Sequence, residues 1–334
     1  MDWALVTGAT GNVGNAIARA LVADGRQVRA LVRDLDRART LLPSEVVLCR
    51  GDVTDAATVA PALDGCTAVF HAAGLPEQWL PDPATFARVN VTGTEVMVEA
   101  ACAAGVRRFV YTSTIDVFAW RSGVPFDESL LDPQPKHTHY ERSKQEADRL
   151  VQRAVEAGFP AVFLHPSAVY GTSPTTSPGT NDLLCRLVRG EIPLLLPGTM
   201  PVVFADDVAR GHLAAEHCDP GSRFILSESV WTLPELAAQM AAAARDVLGA
   251  DVRLPRVLPV WVARTISVLT EALSTITRRP PLLPAGQLEF LLSGATPVAD
   301  RARARLGWRP RTLADGLRAT LRWLVERGEL TARG

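Results

Sequence analysis

The first half of the chain alternates short apolar runs with stretches of helical periodicity. Residues 3–7 form an apolar run of the kind found in buried parallel strands, and residues 15–23 then repeat apolar positions with helical spacing. Further apolar runs predict strands at residues 27–32, 46–49, 68–71, 109–114 and 161–165. Because strands and helices alternate in this order, the pattern predicts an α/β fold built on a doubly wound parallel sheet.

In the second half this alternation stops. Residues 172–182 are rich in Thr, Ser, Pro and Gly and predict a loop or lid, and residues 236–247 predict an Ala-rich helix. Residues 257–270 are apolar, but Arg264 and Glu271 interrupt the stretch well short of the roughly 20 residues that span a membrane. We therefore expect a core or pocket-lining helix there and no membrane contact.

A glycine-rich turn separates the first strand from the first helix. Its glycines are spaced Gly-x-x-Gly-x-x-Gly, and its predicted cofactor contacts are Gly8, Thr10, Gly11, Asn12, Val13 and Gly14. Glycine permits a tight turn, close approach of the backbone to a pyrophosphate, and close packing of helix on strand. Free N–H groups at the helix start then bind phosphate. The turn predicts a dinucleotide-binding Rossmann domain at residues 1–165. A smaller, mainly substrate-binding C-terminal cap follows at 166–334, with some segments returning to the first domain.

The residues after the second strand bear on the choice of nicotinamide cofactor. An Asp or Glu at this point binds the ribose 2′-hydroxyl of NAD, whereas a nearby Arg accommodates the 2′-phosphate of NADP. This chain has Arg33 there, followed by Asp34, and Arg37 and Arg39 add positive charge. A guanidinium makes charge-assisted, often bidentate contacts with phosphate, so the sequence favours NADP. NAD remains open, because Asp34 is able to accept the ribose hydroxyl and solvation alone also explains a charged turn.

Composition excludes several other classes of protein. The formal net charge of the 334 residues is −1 with both signs interspersed, so no basic surface argues for nucleic acid. The five cysteines are widely spread and form no Cys-x-x-Cys, which argues against a metal site or a disulfide framework and fits a reducing cytosol. The N-terminus enters a strand at once, so we expect no signal peptide and a cytoplasmic protein.

Tyr140 and Lys144 form a second motif that carries chemistry. They are four residues apart on a predicted helix, so both side chains project from one face. A free tyrosine has a pKa of about 10, and we expect the neighbouring ammonium to lower that value toward neutral pH. Thr114 or Ser113, at the carboxyl end of a strand, would donate a hydroxyl to the substrate oxygen. Tyr-x-x-x-Lys also occurs by chance on helix surfaces, but after a glycine turn it predicts proton transfer beside a nicotinamide.

Taken together, these motifs resemble the extended short-chain dehydrogenase/reductase family, within the superfamily of NAD-dependent epimerases and dehydratases. The matching segments extend over nearly the whole chain, at residues 7–14, 51–53, 71–73, 90–94, 111–114, 140–144, 166–171, 205–209 and 306–310. Residues 109–114 and the apolar segment before residues 278–281 are most similar to the 3β-hydroxysteroid dehydrogenase and dihydroflavonol reductase branches.

The resemblance implies a role for each motif. Tyr140 would be the acid–base and Lys144 would hold the nicotinamide ribose. Thr114 would orient the substrate oxygen, with Ser113 facing elsewhere unless the assignment is one residue out. The other cofactor contacts that it implies are Asp52, Val53, His71, Ala72, Ala73, Gly74, Thr112, Pro166 and Ser167.

Some positions allow two interpretations or depart from the family pattern. Thr114 stands where Ser is commoner, and His165 stands where relatives that modify sugars often have Arg. We interpret His165 as a buried structural residue. Asn90 either holds backbone or water in the site or is an ordinary helix cap. The predicted edges of the substrate pocket are Leu75, Trp79, Phe118, Trp120 and Tyr170. Such a lining favours a bulky hydrophobic substrate, although core packing explains each residue individually as well.

These observations lead to one functional expectation and two alternatives. We expect an NADP-dependent reductase or secondary alcohol dehydrogenase for a bulky hydrophobic substrate, such as a sterol-like, flavonoid-like or 3-oxo compound. The first alternative is an NDP-sugar epimerase or dehydratase, for which the cap offers only scattered cations such as Arg186 and Arg189. The second is a non-enzymatic NADP-sensing protein, against which the intact Tyr140 and Lys144 pair argues. The resemblance also implies a homodimer formed through the helices predicted at 86–104 and 140–156.

Overall fold

The computed structural model describes residues 2–174 and 179–331. The strands are β1 (Trp3–Thr7), β2 (Gln27–Val32), β3 (Val47–Arg50), β4 (Cys66–His71), β5 (Arg108–Thr112), β6 (Pro125–Phe126), β7 (Ala161–Pro166), β8 (Ala168–Tyr170), β9 (Leu194–Leu195), β10 (Thr199–Phe204), β11 (Arg223–Leu226), β12 (Ser229–Thr232), β13 (Arg256–Val257) and β14 (Thr296–Pro297). The α-helices are α1 (Asn12–Ala23), α2 (Leu35–Leu41), α3 (Ala56–Ala62), α4 (Ala84–Phe86), α5 (Gly93–Ala103), α6 (His139–Glu156), α7 (Thr180–Val188), α8 (Ala205–Ala215), α9 (Leu233–Leu248), α10 (Val260–Thr277), α11 (Ala285–Leu292), α12 (Asp300–Arg305) and α13 (Leu313–Glu326).

Seven of these strands form one parallel sheet in the order β11-β7-β5-β4-β1-β2-β3. β1 pairs with β2 on one side and with β4 on the other, so the direction of winding reverses between β1 and β4. In open sheets of this kind, ligands bind outside the carboxyl ends of the strands at such a reversal. The predicted doubly wound parallel sheet is confirmed, and its reversal point lies beside the glycine turn.

Alternate side chains of the central strands fill two separate cores, one on each face of the sheet. Val6 of β1 packs with Ile17 of α1 and with residues of α8 on one face. Leu5 of the same strand packs with Met97 of α5 and Val151 of α6 on the other. Because both faces are covered, the strands are apolar at successive positions, which is why the short runs in the sequence predicted them.

The second half of the chain contributes to both parts of the molecule. β11 pairs with β7 at the edge of the main sheet, and α8 packs against α1. A separate sheet, ordered β12-β10-β8, lies over a third core, in which Leu236 of α9 meets Leu317 of α13. α7 begins at Thr180, within the predicted loop or lid. Residues 175–178 of that prediction lie outside the described residues.

Two predicted elements differ from the structure in ways that affect the site. The strand predicted at 109–114 ends at Thr112, because Thr114 becomes the N-cap of a short 3-10 turn, Ile115–Val117. The helix predicted at 86–104 is interrupted by a π-helical segment, Ala87–Thr92, between α4 and α5.

The apolar segment near residue 260 is not a core helix. α10 packs through one face against α11, where Ala263 and Ser267 are buried, but much of the opposite face is exposed. Within the described residues, no helix is long and apolar enough to cross a membrane.

Candidate active site

The glycine turn joins β1 to α1 and closes against the end of β4. Gly8 has a φ of +67°, and a Cβ there would lie 2.6 Å from the Ala72 carbonyl oxygen. A Cβ on Gly14 would collide with the Gly8 carbonyl oxygen, whereas one on Gly11 would lie 3.4 Å from that oxygen. Gly8 and Gly14 are therefore required by the fold of the turn, and Gly11 is left for contact with a ligand.

This turn fits the pyrophosphate of a dinucleotide. α1 begins directly after Gly11, and among the described residues no side chain caps the start of this helix. The first N–H groups of a helix have no partner within the helix, so these groups are available to phosphate. They also lie at the positive end of the helix dipole. Thr10, Asn12 and Val13 lie half-buried along the same turn.

His71 ties the end of β4 to the glycine turn. Its Nδ1 is hydrogen-bonded to the Thr7 hydroxyl at 2.7 Å, and its Nε2 to the Thr94 hydroxyl at 3.2 Å. Burial, and then the charge of Lys144, lowers the pKa of His71 to about 3, so the ring is neutral. Thr7 Oγ1 also accepts the Ala73 N–H at 3.2 Å. The buried imidazole thus positions the backbone that follows β4.

The end of β2 presents Arg33 beside a capped helix. Asp34 is the N-cap of α2, and its carboxylate accepts the Arg37 N–H at 3.0 Å. Arg33 is exposed and forms no ion pair within residues 2–174 and 179–331. Arg50, which the sequence analysis missed, ends β3 opposite Val32. Asp34 is therefore engaged in the fold, while Arg33 is available to a phosphate.

The loops after β3 and β4 are held against α5. Asp52 Oδ1 accepts both the backbone N–H and the hydroxyl of Thr54 at 2.9 Å. Val53 packs so closely on the start of α5 that a Cβ on Gly93 would lie 2.9 Å from its Cγ2. A Cβ on Gly74 would lie 3.2 Å from the side-chain oxygen of Asn90. Asp52, Val53 and Gly74 thus have fixed positions beside the reversal point of the sheet.

Tyr140 and Lys144 lie near the start of α6, which is fixed by a capping box that joins Thr138 to Glu141. The Tyr140 phenol lies beside the Thr114 side chain, close enough for that hydroxyl to act on its pKa. Lys144 Nζ donates to the Thr112 carbonyl oxygen at 2.9 Å. The structure therefore brings three predicted catalytic residues, Thr114, Tyr140 and Lys144, together beyond the carboxyl end of β5.

The electrostatics of this group differ from the sequence expectation. Desolvation, and then the negative charge of Asp116, raises the pKa of Tyr140, and the nearby Thr114 hydroxyl only partly offsets this. Lys144 was expected to lower the pKa of Tyr140, but its ammonium is bound to the Thr112 carbonyl. Burial lowers the pKa of Lys144 to about 8. Tyr140 is consequently protonated at neutral pH and is suited to donate a proton.

A buried polar cluster decides which of two adjacent hydroxyls faces the site. Ser113 Oγ donates to Asp148 Oδ2 at 2.6 Å. Arg223 Nη1 donates to Asp148 Oδ1 at 2.7 Å and lies 3.3 Å from His165 Nε2. His165 is fully buried, burial lowers its pKa to about 3, and its Nδ1 lies 3.2 Å from the Thr114 carbonyl oxygen. Ser113 is thus engaged in the cluster, and the Thr114 hydroxyl is left for the site.

Asp116 is a site residue that the sequence analysis missed. Thr114 Oγ1 donates to Asp116 Oδ2 at 2.9 Å. Asp116 Oδ1 is buried and has no hydrogen-bond partner in the described part of the chain. Burial, and then the charge of Glu141, raises the pKa of Asp116 to about 6. No short motif marks this carboxyl in the sequence, because only the 3-10 turn after β5 brings it to Thr114.

Asn90 lies in the π-helical segment and joins three parts of the site. Its Oδ1 accepts the Leu75 N–H at 2.8 Å, and its Nδ2 donates to Ser143 Oγ at 2.9 Å. Ser143 Oγ in turn donates to the Tyr140 carbonyl oxygen at 2.7 Å. Asn90 is therefore not a helix cap but a buried link between the loop after β4 and α6. π-helical turns inside α-helices are frequent at functional sites, where they re-aim a side chain.

Two of the predicted substrate residues lie in the loop after β4. Leu75 and Trp79 are half-buried there. The same loop meets α11, because a Cβ on Gly286 would lie 3.0 Å from Gln78 Oε1 and 2.7 Å from Thr138 Cγ2. α11 therefore packs over the start of α6 and next to this loop.

The other predicted substrate residues are less accessible. Phe118 is fully buried, with its ring centroid 4.7 Å from that of His165. Tyr170 is buried in the cap core, with its ring centroid 5.5 Å from that of Phe204. Trp120 is half-buried at the edge of the cluster that contains Phe118.

The end of β7 offers buried hydroxyls without partners. The Ser167 N–H donates to the Leu226 carbonyl oxygen at 3.0 Å, but its Oγ has no partner among the described residues. The same holds for Ser227 Oγ, which follows β11, and for Asn12 Oδ1. Buried polar atoms without partners are rare in folded proteins. Beside Pro166, Ser167 therefore fits the carboxamide of a nicotinamide, as the resemblance implies.

Comparison with known proteins gives the class to which this fold and site belong. Residues 4–225 match the family described as NAD dependent epimerase/dehydratase. Since the match covers most of the chain, the chain belongs to this family. It is an NAD(P)-dependent oxidoreductase of the extended short-chain type, and the resemblance drawn from the sequence is confirmed. The match does not distinguish NAD from NADP.

Individual relatives match over nearly the full length. The chain is 28% identical over 339 residues to a putative dihydroflavonol 4-reductase of Synechocystis sp., covering 98% of this chain and 96% of the relative. It is 31% identical over 298 residues to the 2-alkyl-3-oxoalkanoate reductase of Stenotrophomonas maltophilia, covering 83% of this chain and 86% of that relative. The crystal structure of gox2253 superposes with a TM-score of 0.84 at 30% identity, covering 99% of this chain and 100% of that one.

Proposed function

We propose that this chain is an NADP-preferring ketone reductase, or secondary alcohol dehydrogenase, for a bulky hydrophobic substrate. One observation carries the proposal. Tyr140 keeps its proton and lies with Thr114 and Lys144 beyond the carboxyl end of β5. A tyrosine that holds its proton at neutral pH is able to give it to an oxygen that gains charge during reduction.

The roles of the chain's own residues follow from this geometry. A bound NADPH supplies the hydride. The N–H groups at the start of α1 would bind its pyrophosphate, Arg33 the 2′-phosphate, and Ser167 the carboxamide. Lys144, already oriented by the Thr112 carbonyl, would hold the ribose and keep positive charge near the reacting oxygen. Tyr140 would donate the proton to that oxygen, and Thr114 would orient the same oxygen by turning its hydrogen to it from Asp116.

The substrate class rests on the lining and on the relatives. Leu75 and Trp79 are half-buried in the loop after β4, and Trp120 lies half-buried near the 3-10 turn. Apolar and aromatic linings of this kind suit hydrophobic ligands. Two relatives are also named as reductases, a putative dihydroflavonol 4-reductase and a 2-alkyl-3-oxoalkanoate reductase.

The family description keeps an NDP-sugar epimerase or dehydratase as the second candidate. Such an enzyme needs cations for a diphosphate. The two that the sequence suggested are already engaged, because Arg186 pairs with Asp182 at 3.8 Å and Arg189 donates to the Glu329 carbonyl oxygen at 2.6 Å. This favours the reductase.

The test is turnover of NADPH and of NADH with a panel of bulky apolar ketones, in parallel with interconversion of NDP-sugars. The proposal predicts net oxidation of NADPH with apolar ketones, faster than that of NADH. Conversion of an NDP-sugar with no net change in the cofactor would contradict the reductase proposal and assign the chain to the NDP-sugar epimerases or dehydratases. Tight NADPH binding without turnover of either class would instead point to a cofactor-sensing protein.

A homodimer formed through α5 and α6 remains part of the proposal, as does a cytosolic location. The cysteines are free thiols in the described structure, which suits a reducing compartment. Sedimentation analysis of the purified chain tests the dimer.

A further inference from the structure

The outward side of α10 is an exposed apolar surface. Trp261 is 72% exposed, Val268 67%, Leu269 64% and Ile276 81%. On the opposite side of the same helix, Ala263, Ser267 and Ser274 are buried. Single exposed apolar residues are common in proteins, but a contiguous group of large ones marks a surface for interaction.

The periodicity of α10 places these residues together. Trp261, Thr265, Val268, Leu269 and Ile276 recur at helical spacing and define what we call the α10 outer face. None of them carries a charge. The charged residues of the helix, Arg264 and Glu271, lie along one border of this face. The interruptions that seemed to break the apolar segment in the sequence therefore leave the outer face intact.

The segment of chain that contains α10 is strongly basic. Residues 253–282 contain five arginines and one glutamate, a net charge of +4, whereas the whole chain has a net charge of −1. The arginines are Arg253, Arg256, Arg264, Arg278 and Arg279. Within the ranges that the structure describes, none of these five arginines forms an ion pair. Many described arginines elsewhere are paired with carboxylates, as Arg223 is with Asp148.

α10 is joined to the candidate site through α11. α10 packs on α11, and α11 meets Gln78 and Thr138, next to the half-buried apolar loop after β4 and the start of α6. The outer face itself lies on the side of α10 away from α11.

We propose that the α10 outer face and its flanking arginines dock on the surface of a lipid bilayer that contains anionic lipid. A helix lies in the interface when it combines an apolar face bearing Trp and Leu with basic residues at its borders, without the length to cross the bilayer. Arginines near an anionic surface each add to the attraction. A second copy of the chain fits less well, because a symmetric contact through this face would bring two sets of unpaired arginines together.

This inference departs from the sequence expectation of no membrane contact. Residues 257–270 were expected to form a core or pocket-lining helix, whereas the outward side of α10 is exposed. No crossing of the bilayer is involved. The inference does not depend on the reaction catalysed, because it rests only on exposure, charge and packing.

The test is sedimentation of the full chain with vesicles of phosphatidylcholine alone and of phosphatidylcholine mixed with phosphatidylglycerol. We expect binding to the mixed vesicles that weakens as salt is raised. The double variant Leu269→Glu/Ile276→Glu should abolish it. Arg279→Gln should weaken binding roughly fivefold, the effect of removing one arginine near the surface.

The matched control is Val47→Glu/Val124→Glu, which places the same two charges on exposed apolar side chains outside α10. It should bind vesicles like the wild type. Equal binding by the wild type and the double variant would overturn the proposal, as would absence of binding to either vesicle. A dimer that the double variant converts to monomer, without vesicle binding, would assign the face to a second copy.

Discussion

Thr114 Oγ1 donates its hydrogen to Asp116 Oδ2 over 2.9 Å. While this bond is made, Thr114 has no hydrogen for a substrate oxygen, because a hydroxyl carries only one. The pKa of Tyr140 is raised, so its phenol keeps its proton at neutral pH. Of these two neighbouring hydroxyls, the Tyr140 phenol is therefore the one whose hydrogen is available to a substrate.

Asp116 makes stability depend on pH. Its pKa in the folded chain is about 6, above the ordinary 3.8, so the folded state binds the proton more tightly than the unfolded state. Below the unfolded-state pKa of 3.8 the carboxyl is protonated in both states, so burying it as a carboxylate costs nothing. The free-energy cost of burying the carboxylate then grows as the pH rises from 3.8 to the folded-state pKa of about 6. The Asp116→Asn variant should therefore gain up to about 3 kcal/mol in unfolding free energy over the wild type between about pH 4 and pH 7.

Urea unfolding of both proteins across this range measures the effect. Asp127→Asn is the control, because hydrogen bonds from Ser129 lower the pKa of Asp127. Its unfolding free energy relative to the wild type should therefore fall, and not rise, as the pH increases. A gain in unfolding free energy for Asp116→Asn that does not change with pH would contradict the raised pKa of Asp116.

Asn90 links the loop after β4 to α6, so its loss should affect both stability and turnover. In Asn90→Ala the Leu75 N–H and the Ser143 hydroxyl lose a buried partner, and the unfolding free energy should fall by about 1–3 kcal/mol. Asn181→Ala, which removes the side-chain bonds to both backbone groups of Gly171 in the cap, should cost a similar amount. Only Asn90→Ala should also lower kcat; equal kcat values for the two variants would show that Asn90 is merely structural.

Substitution of two glycines in the turn should affect stability in one case and cofactor binding in the other. Gly14→Ala places a methyl group against the Gly8 carbonyl, and overpacking of this kind costs about 1–3 kcal/mol of stability. Gly11→Ala has a clearance of 3.4 Å and an ordinary φ of −100°, so it should fold normally and lose affinity for the dinucleotide. Thermal unfolding and fluorescence titration with NADPH measure the two effects. Equal losses of stability would refute this distinction.

Arg33 should control the choice of cofactor. Removing a guanidinium that binds the 2′-phosphate loses a charge-assisted contact, so Arg33→Ala should weaken NADPH binding by about tenfold to a hundredfold and leave NADH binding unchanged. Arg39→Ala is the control, because Arg39 is paired with Asp36 at 2.6 Å on the same exposed helix. Equal effects of Arg33→Ala on both cofactors would favour NAD.

Local sequence patterns predicted the strands and the glycine turn around the site, while tertiary contacts determined where its individual side chains lie. The glycine turn and the strands were predictable, since Gly8 and Gly14 are required by nearby backbone and the strands are apolar on both faces. The π-helical turn at Asn90 was not, because its side chain is aimed by a bond to Leu75 from a different element. Phe118 looked like a pocket residue in the sequence, yet it packs against His165, and apolarity alone does not say which neighbour covers a side chain.

The most direct test of the central claim is the rate of hydride transfer in Tyr140→Phe, measured with saturating NADPH and an accepted ketone. Removal of the proton donor should lower this rate by about a hundredfold to ten-thousandfold while NADPH still binds. Tyr111→Phe, which removes a buried hydroxyl from the neighbouring strand, should turn over at close to the wild-type rate. A Tyr140→Phe variant as active as Tyr111→Phe would show that another group donates the proton.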